Sequence, residues 1–280
     1  MRVNIRYVGS SGNEYNLVSD GILHKEANYM QWSWTAVGTK LQYGQRIANF
    51  SRNAASYKTT LLFYGLPSKR RALLGALHDD WEQDLREVKP GRIYWGDWYI
   101  DCYIIDSSTA PTESMAYTSN EITILAPHPF WQQDYELEFA KQEPASGDDF
   151  LDYEYGYSYD YTQPVIGERS VARDFPFKAD FHMTIFGPVV NPMVTINGYS
   201  YVFYMTIAEG EYLVIDSRAK TVTLFGEGGV QTNAFDNRNK AESVFEQIPG
   251  GNLQVVWNAT FGFNLTIYHE RSEPRIEVTS

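Results

Sequence analysis

The sequence predicts a mainly β protein with one α-helix: an N-terminal β-rich module carrying an amphipathic helix, then a C-terminal antiparallel β-sandwich. Three observations carry that reading. Short runs with period-two alternation of apolar residues, the mark of half-buried strands, recur along the chain. Only residues 68–89 keep a helical spacing of three and four. From Pro164 onward, β-runs follow one another with turn signals between them, at the spacing of a sandwich.

In order along the chain, Met30–Val37 alternates and is expected as a strand with Met30, Trp32, Trp34 and Ala36 on one face. Ser56–Tyr64 is rich in β-formers and stops at Gly65. The helix is expected over Ser68–Lys89, with Ser68 as N-cap and Leu73, Leu77, Trp81, Leu85 and Val88 on its apolar face. Asp79, Asp80, Glu82 and Glu87 are expected on its solvated face, and Lys89-Pro90-Gly91 ends it. Arg92–Trp95 and Trp98–Ile105 flank Gly96-Asp97, a Gly-first pair that suits a type II′ hairpin turn. A strand over Glu121–Leu125 follows, and the prolines of Ala126–Trp131 break regular structure. Six of the seven tryptophans precede residue 140, so an aromatic-heavy core is expected there. In the second half the expected strands are Phe181–Phe186, Met193–Ile196, Tyr199–Tyr204, Glu211–Ile215, Thr221–Phe225, Leu253–Trp257 and Phe261–Tyr268. Asn197-Gly198 is a hairpin turn signal between two of them.

The 280 residues correspond to about two domains at roughly 150 residues each. The expected division is 1–140, a connector at 141–163, and 164–280. The connector carries one Lys against six acids, and Tyr153, Tyr155, Tyr157, Tyr159 and Tyr161 alternate along it. It reads as an interdomain linker or exposed arm, and the five tyrosines are the candidate interface residues, large in contact area at modest entropic cost. Charge sets further bounds. A formal −12 gains little from counterion release on a phosphate backbone, which argues against stable nucleic-acid binding. One cysteine, Cys102, excludes an intrachain disulfide framework and fits a reducing compartment of synthesis. The first residues contain no signal-like apolar core, so no export is expected. Residues 181–208 lack charge, but Pro188, Pro192 and Asn197-Gly198 argue against a spanning helix, so no membrane insertion is expected.

Catalytic motifs are not in evidence: no glycine-rich phosphate loop, no His-Glu-x-x-His and no Gly-x-Ser-x-Gly occurs. The five histidines sit on separate elements, Cys102 reads as a small buried apolar residue, and one cysteine leaves little material for structural zinc. Asp97, Asp101 and Asp106, beside an aromatic hairpin, are the carboxylates that could line a sugar groove, though turn and solvent-facing positions account for them. Asp148, Asp149, Asp152 and Glu154 lack the spacing of an EF-hand calcium loop. Neither catalytic residues, nor a cofactor, nor a metal is expected.

The order of segments is more specific than any one of them. Leu61-Leu-Phe-Tyr-Gly65, a lone amphipathic helix, Gly91-Arg-Ile-Tyr94 with Trp98-Tyr-Ile100, and Pro127-His-Pro-Phe-Trp131 come first. Asn191-Pro192, Gly210-Glu-Tyr-Leu213 with Ile215-Asp216, Lys220-Thr-Val222, Asn233-Ala-Phe-Asp236, Ile248-Pro-Gly-Gly-Asn252, Trp257 and Glu270-Arg271 follow. In this order they resemble the distal tail protein (Dit) family of long-tailed bacteriophages over nearly the whole chain. The resemblance implies a non-enzymatic virion protein synthesised in the host bacterial cytoplasm. Its N-terminal module would form a homo-hexameric ring between the tail tube protein and the tail-associated hub protein. Its C-terminal module would be a galectin-like sandwich that holds receptor-binding or baseplate proteins. An acidic ring lining would keep passing DNA from adhering. The alternative reading is a carbohydrate-binding module that recognises host cell-wall polysaccharide through the C-terminal sandwich, with Trp257 or Tyr199 as its platform. A fold does not carry sugar binding with it, and no His-x-Asn-x-x-x-Arg run occurs here.

Overall fold

The computed structural model describes residues 4–25, 29–110, 116–142 and 166–275, which fall into two units, Met1–Gln133 with Glu270–Ser280 and Asp134–His269. The first unit contains β1 (Ile5–Val8), β2 (Glu14–Asn16), β3 (Ile22–Lys25), β4 (Thr35–Lys40), β5 (Gln45–Ser51), β6 (Ala55–Tyr64), α1 (Pro67–Glu87), β7 (Gly91–Trp95), β8 (Trp98–Thr109) and β9 (Tyr117–Ala126). It also holds the start of β10 (Trp131–Phe139).

Every pairing in this unit is antiparallel. The order β2-β1-β7-β8 uses the first half of β8, and from Tyr103 onward β8 pairs instead with β9, which pairs with β6 and then β3. One long strand thus belongs to both ladders, with a bulge between Ile104 and Asp106 that bends it. Trp95 opposite Trp98 confirms the two-residue hairpin, and Gly96 alone of the central pair takes positive φ, at 62°, as a type II′ turn requires. The core comprises Ile5, Tyr7, Leu61, Phe63, Leu77, Trp81, Ile93, Ile100, Cys102, Ile122, Ile124 and Trp131, among others.

The helix is present, but it faces the core differently from the expectation. It starts at Pro67, with Leu66 and not Ser68 at the N-cap position, because proline's fixed φ suits the first helical turn. It ends on Val88, which takes the left-handed conformation at φ 54°. Its buried residues are Arg70, Leu77, Asp80, Trp81 and Asp84, while Leu85 and Val88 are exposed. Asp80, expected in solvent, is therefore a buried carboxylate. The expected Trp32/Trp34 strand face is also corrected. The strand begins only at Thr35, and both tryptophans are about half exposed.

The second unit is a sandwich. The remainder of β10 is followed by β11 (Ile166–Val171), β12 (Phe181–Phe186), β13 (Val189–Val190), β14 (Met193–Ile196), β15 (Tyr199–Val202), β16 (Thr206–Ile207), β17 (Tyr212–Asp216), β18 (Thr221–Phe225), β19 (Gln231–Asn233), β20 (Leu253–Asn258) and β21 (Phe263–Arg271). One layer runs β19-β18-β17-β12-β21-β10 and the other β11-β20-β14-β15. Alternate residues of both layers meet in one core: Phe181, Met183, Ile185, Leu213, Ile215, Leu265 and Ile267 from the first, Val194, Ile196, Tyr201, Leu253, Val255 and Trp257 from the second. Asn197 and Gly198 both take positive φ, 49° and 82°, so the predicted turn is of type I′. Among the described residues no helix is long and apolar enough to cross a membrane, and residues 181–208 fold as strands and turns.

Candidate functional site

The described residues contain no group of three or more histidines, cysteines, aspartates or glutamates able to hold a metal. The carboxylates singled out for a sugar groove are kept apart. Asp97 is in the β7–β8 turn, Asp101 faces Arg92 and bonds it at 3.0 Å, and Asp106 lies beyond the bulge. At about 3.3 Å per strand residue, Asp97 and Asp106 lie roughly 30 Å apart along β8, against the roughly 5–10 Å of a glycosidase pair. The histidines are dispersed. His24 meets Tyr29 and Thr59, His78 meets Ser107 and Asn120, and His128 meets Glu270. Cys102 is fully buried, and burial pushes its thiol pKa up, away from the reactive thiolate. Trp257 is 4% exposed, edge-on to Phe139 and Phe263, and donates to the Phe261 carbonyl at 3.1 Å. No sugar ring can stack on it. Tyr199 is half buried, its hydroxyl donating to the Ser243 carbonyl at 2.8 Å. The tyrosines at 153, 155, 157, 159 and 161, and Asp148, Asp149, Asp152 and Glu154, lie outside the described residues.

What stands out is a surface, the β4–β5 hairpin. These two strands pair with each other and with no other described strand. Every residue from Gln31 to Phe50 is exposed. The exposed set includes Trp32, Trp34, Val37, Leu41, Tyr43, Ile47 and Phe50, with Tyr43 at the tip 88% exposed. An isolated two-stranded hairpin is marginally stable in water at best, and seven large exposed apolar side chains on one such element mark an interaction site.

The chain builds this element with care. Gly44 takes φ 86° in the tip, where the Leu41 amide donates to the Gly44 carbonyl at 3.0 Å. A bulge between Val37 and Gly38 shifts the register, and a Cβ at Gly38 would fall on the Arg46 carbonyl. Only glycine lets the strands approach there. The base is clamped by aromatics: Trp34 meets Phe130 edge-on at 5.6 Å, and the Arg52 guanidinium lies over the same ring at 4.8 Å. Below it, Trp131 donates its indole N–H to the Tyr29 carbonyl at 3.3 Å.

A second cluster holds the helix against β1 and β2. Asp84 accepts from the Tyr7 hydroxyl and from the Ser10 amide at 2.8 Å. Asp80 accepts from Ser11 Oγ at 2.9 Å, Asn13 Nδ2 at 3.0 Å and the Tyr15 hydroxyl at 2.5 Å. These donors are what makes two buried carboxylates tolerable. Burial first, and the paired carboxylate second, raise the pKa values of Tyr7 and Tyr15 above the ordinary phenol. Gly91 completes the packing, since a Cβ there would fall on the Tyr7 hydroxyl and within 2.5 Å of Asp84 Oδ2. This cluster is structural. Sequence reading missed both Asp84 and the second hairpin strand, Gln45–Ser51; the only local signal for the latter was Gly44 between two β-prone runs.

The fold is that of phage baseplate proteins. A chain in the phage p2 baseplate structure, in its activated conformation with Ca, superposes with TM-score 0.64 at 11% identity, over 98% of this chain and 100% of that one. The same baseplate with Sr gives 0.65 at 12% identity, again over 98% and 100%. The SPP1 Dit protein, described as a paradigm of the hub adsorption apparatus in phages that infect Gram-positive bacteria, superposes with TM-score 0.60 at 9% identity, over 97% and 100%. No family model matches the sequence, and no curated protein matches it either.

Proposed function

We propose that the chain is a structural, non-enzymatic component of a phage tail tip, a hub that assembles as a homo-hexameric ring. It would connect the tail tube protein to the tail-associated hub protein and to receptor-binding or baseplate proteins, after synthesis in the host cytoplasm. The observation that carries the reading is the β4–β5 hairpin, a built, exposed and apolar element that a monomer has no use for. Superposition over nearly the full length of both chains on baseplate and Dit structures supports the same reading.

Within it, residues 1–140 are the ring-forming module and 164–280 the outer module. The stretch 141–163, by its sequence a linker or arm, would bring Tyr153, Tyr155, Tyr157, Tyr159 and Tyr161 against a neighbouring subunit or another tail protein. Electron microscopy and light scattering of the purified chain, alone and with its hub partner, test the proposal. Six-fold rings are expected. A chain that stays monomeric even with that partner overturns it.

A further inference from the structure

Nearly all of the chain's negative charge belongs to the second unit. Asp134–His269 holds eight Lys and Arg against nineteen Asp and Glu, −11 of the total −12. One face of that unit departs from this composition. It is the solvent side of the layer β19-β18-β17-β12-β21, where cross-strand partners point the same way and so fall into rows. The middle row is Asn233, Thr223, Val214, Thr184 and Asn264. On one side of it runs a row of Gln231, Phe225, Tyr212 and Phe186, and on the other a row of Thr221, Asp216, His182 and Thr266. Asp216 is the single acid in these rows, and its carboxylate is engaged by the Arg218 and Ala219 amides at 2.8 and 2.9 Å.

The polar groups of this face are left open. The side chains of Thr184, Thr221, Thr223, Gln231 and Asn264 make no hydrogen bond among the described residues. On the solvent side of the other layer such groups bond each other, Thr195 with Ser200 at 3.0 Å and Gln254 with Glu168 at 2.8 Å. The aromatic row is continuous. Tyr212 and Phe225 lie parallel at 4.9 Å, and Phe186, 40% exposed, is turned 50° from Tyr212 at 6.4 Å. Where β18 meets β19 there is a hollow of about 370 Å³, lined by Lys220, Thr221, Thr223, Gln231, Thr232 and Asn233 among others. That volume falls within the roughly 300–1,000 Å³ of small-molecule sites.

We propose that this face binds an uncharged polysaccharide laid across the strands, with one sugar ring seated in the β18–β19 hollow. A polyol both donates and accepts at each hydroxyl, which the open threonine hydroxyls and the Gln231 and Asn264 amides can answer. The C–H face of a sugar ring is apolar and packs on the aromatic row, about 7 Å along the strands from the middle row. Five strands at about 4.8 Å spacing make the middle row roughly 19 Å long, enough for several rings in sequence. A phosphate- or carboxylate-bearing chain would enter the field of a −11 unit, which favours the uncharged one. Trp257 and Tyr199, both in the other layer, take no part. The binding goes beyond the tail-tip reading and does not depend on ring assembly.

The experiment probes an array of uncharged hexose and N-acetylhexosamine oligosaccharides, beside glycerol-phosphate and uronic-acid polymers, with the full chain. Calorimetric titration with the strongest uncharged oligosaccharide follows, for the wild type, Thr223→Ala/Gln231→Ala, Phe186→Ala and Tyr43→Ser/Phe50→Ser, each checked for an intact thermal transition. Wild type is expected to bind uncharged glycan saturably. Thr223→Ala/Gln231→Ala is expected to bind about tenfold more weakly through the loss of two hydrogen bonds, and Phe186→Ala to weaken it as well. Tyr43→Ser/Phe50→Ser, altered only in the first unit, should keep wild-type affinity per chain, so the failure of ring assembly and the failure of this site are read separately. No binding to any uncharged glycan, binding confined to the charged polymers, or affinity unchanged in both Thr223→Ala/Gln231→Ala and Phe186→Ala overturns the proposal. If no glycan binds and the hub partner protects the Gln231–Asn233 amides from hydrogen exchange, the face is a protein contact and the proposal is likewise overturned.

Discussion

Gly91→Ala tests the helix anchor with a single methyl group. The added Cβ would land on the Tyr7 hydroxyl and within 2.5 Å of Asp84 Oδ2, in a site where Tyr7 is 2% and Asp84 1% exposed. Neither group can swing into solvent, so either the Tyr7–Asp84 bond opens or β7 moves off the helix. Opening the bond leaves a buried carboxylate short of a donor, at about 1.5–3 kcal/mol. Crowding the surroundings adds about 1–3 kcal/mol. The expected loss is about 3–5 kcal/mol, a fall in Tm of roughly 10 °C or more for a unit of this size. Gly96→Ala is the control, because its φ of 62° is strained for alanine but nothing lies within 4 Å of the new Cβ; it should cost about 1 kcal/mol. Thermal and urea unfolding followed by circular dichroism measure both. Tyr7→Phe removes the hydroxyl in the way, so Gly91→Ala should cost at least about 1 kcal/mol less in that background than in the wild type. Strict additivity, or a Gly91→Ala loss no larger than that of Gly96→Ala, would refute the steric account of the anchor.

The other expectations concern pH, packing and the hairpin. Burial lowers the pKa of His24 from 6.5 to about 4, so its stabilising share is intact above pH 6.5 and is lost as pH falls toward 4. At pH 5 this amounts to about 2 kcal/mol, and His24→Gln should flatten the fall in Tm between pH 7 and 5; parallel profiles exclude the effect. Tyr7 and Tyr15 have raised pKa values, so the stability they contribute is complete below pH 10 and lost above it. Ultraviolet titration of wild type against Tyr15→Phe should show one late-ionising phenol fewer in the variant. Trp257→Ala should cost about 3–5 kcal/mol by opening a cavity beside Phe139 and Phe263, with no specific change on a glycan array. Tyr43→Ser/Phe50→Ser should shift monomer stability by less than about 1 kcal/mol while abolishing ring formation in electron micrographs.

Turns and the sandwich were legible in the sequence because their signals are local and have few competing causes. Asn197-Gly198 fits two consecutive positive φ angles better than almost any other pair, and the alternation through Phe181–Phe186 and Leu253–Trp257 fixes which residues enter the core. The helix was legible as a helix, but its buried face was not. Spacing ranked Leu85 and Val88 above the acids, whereas Asp80 and Asp84 are held inside by Tyr7, Ser10, Ser11, Asn13 and Tyr15, some 65 to 77 positions away. No local pattern reports a donor at that separation. Sequence periodicity placed Trp32 and Trp34 on one face of a strand and could not say what covers that face. Alternation says that a face is apolar and is silent about whether the surface that covers it belongs to the same chain.

That ambiguity is itself informative at β4–β5. An exposed apolar hairpin that pairs with no other described strand invites unwanted edge pairing, which proteins counter with charges, bulges, prolines or short strands. Here the element's strands have six and seven residues and no proline, and their edges carry Lys40, Arg46 and the bulge at Val37/Gly38, while the large apolar side chains stay exposed. Its geometry is nonetheless specified: Gly38 permits the close approach at the bulge, Gly44 turns the tip, and Trp34 and Arg52 fix the base on Phe130. A loop tolerated by accident would need none of these. Chain that specifies a shape while leaving its apolar side chains uncovered fits a surface completed on assembly, and the hairpin's charged residues, Lys40 and Arg46, are both positive.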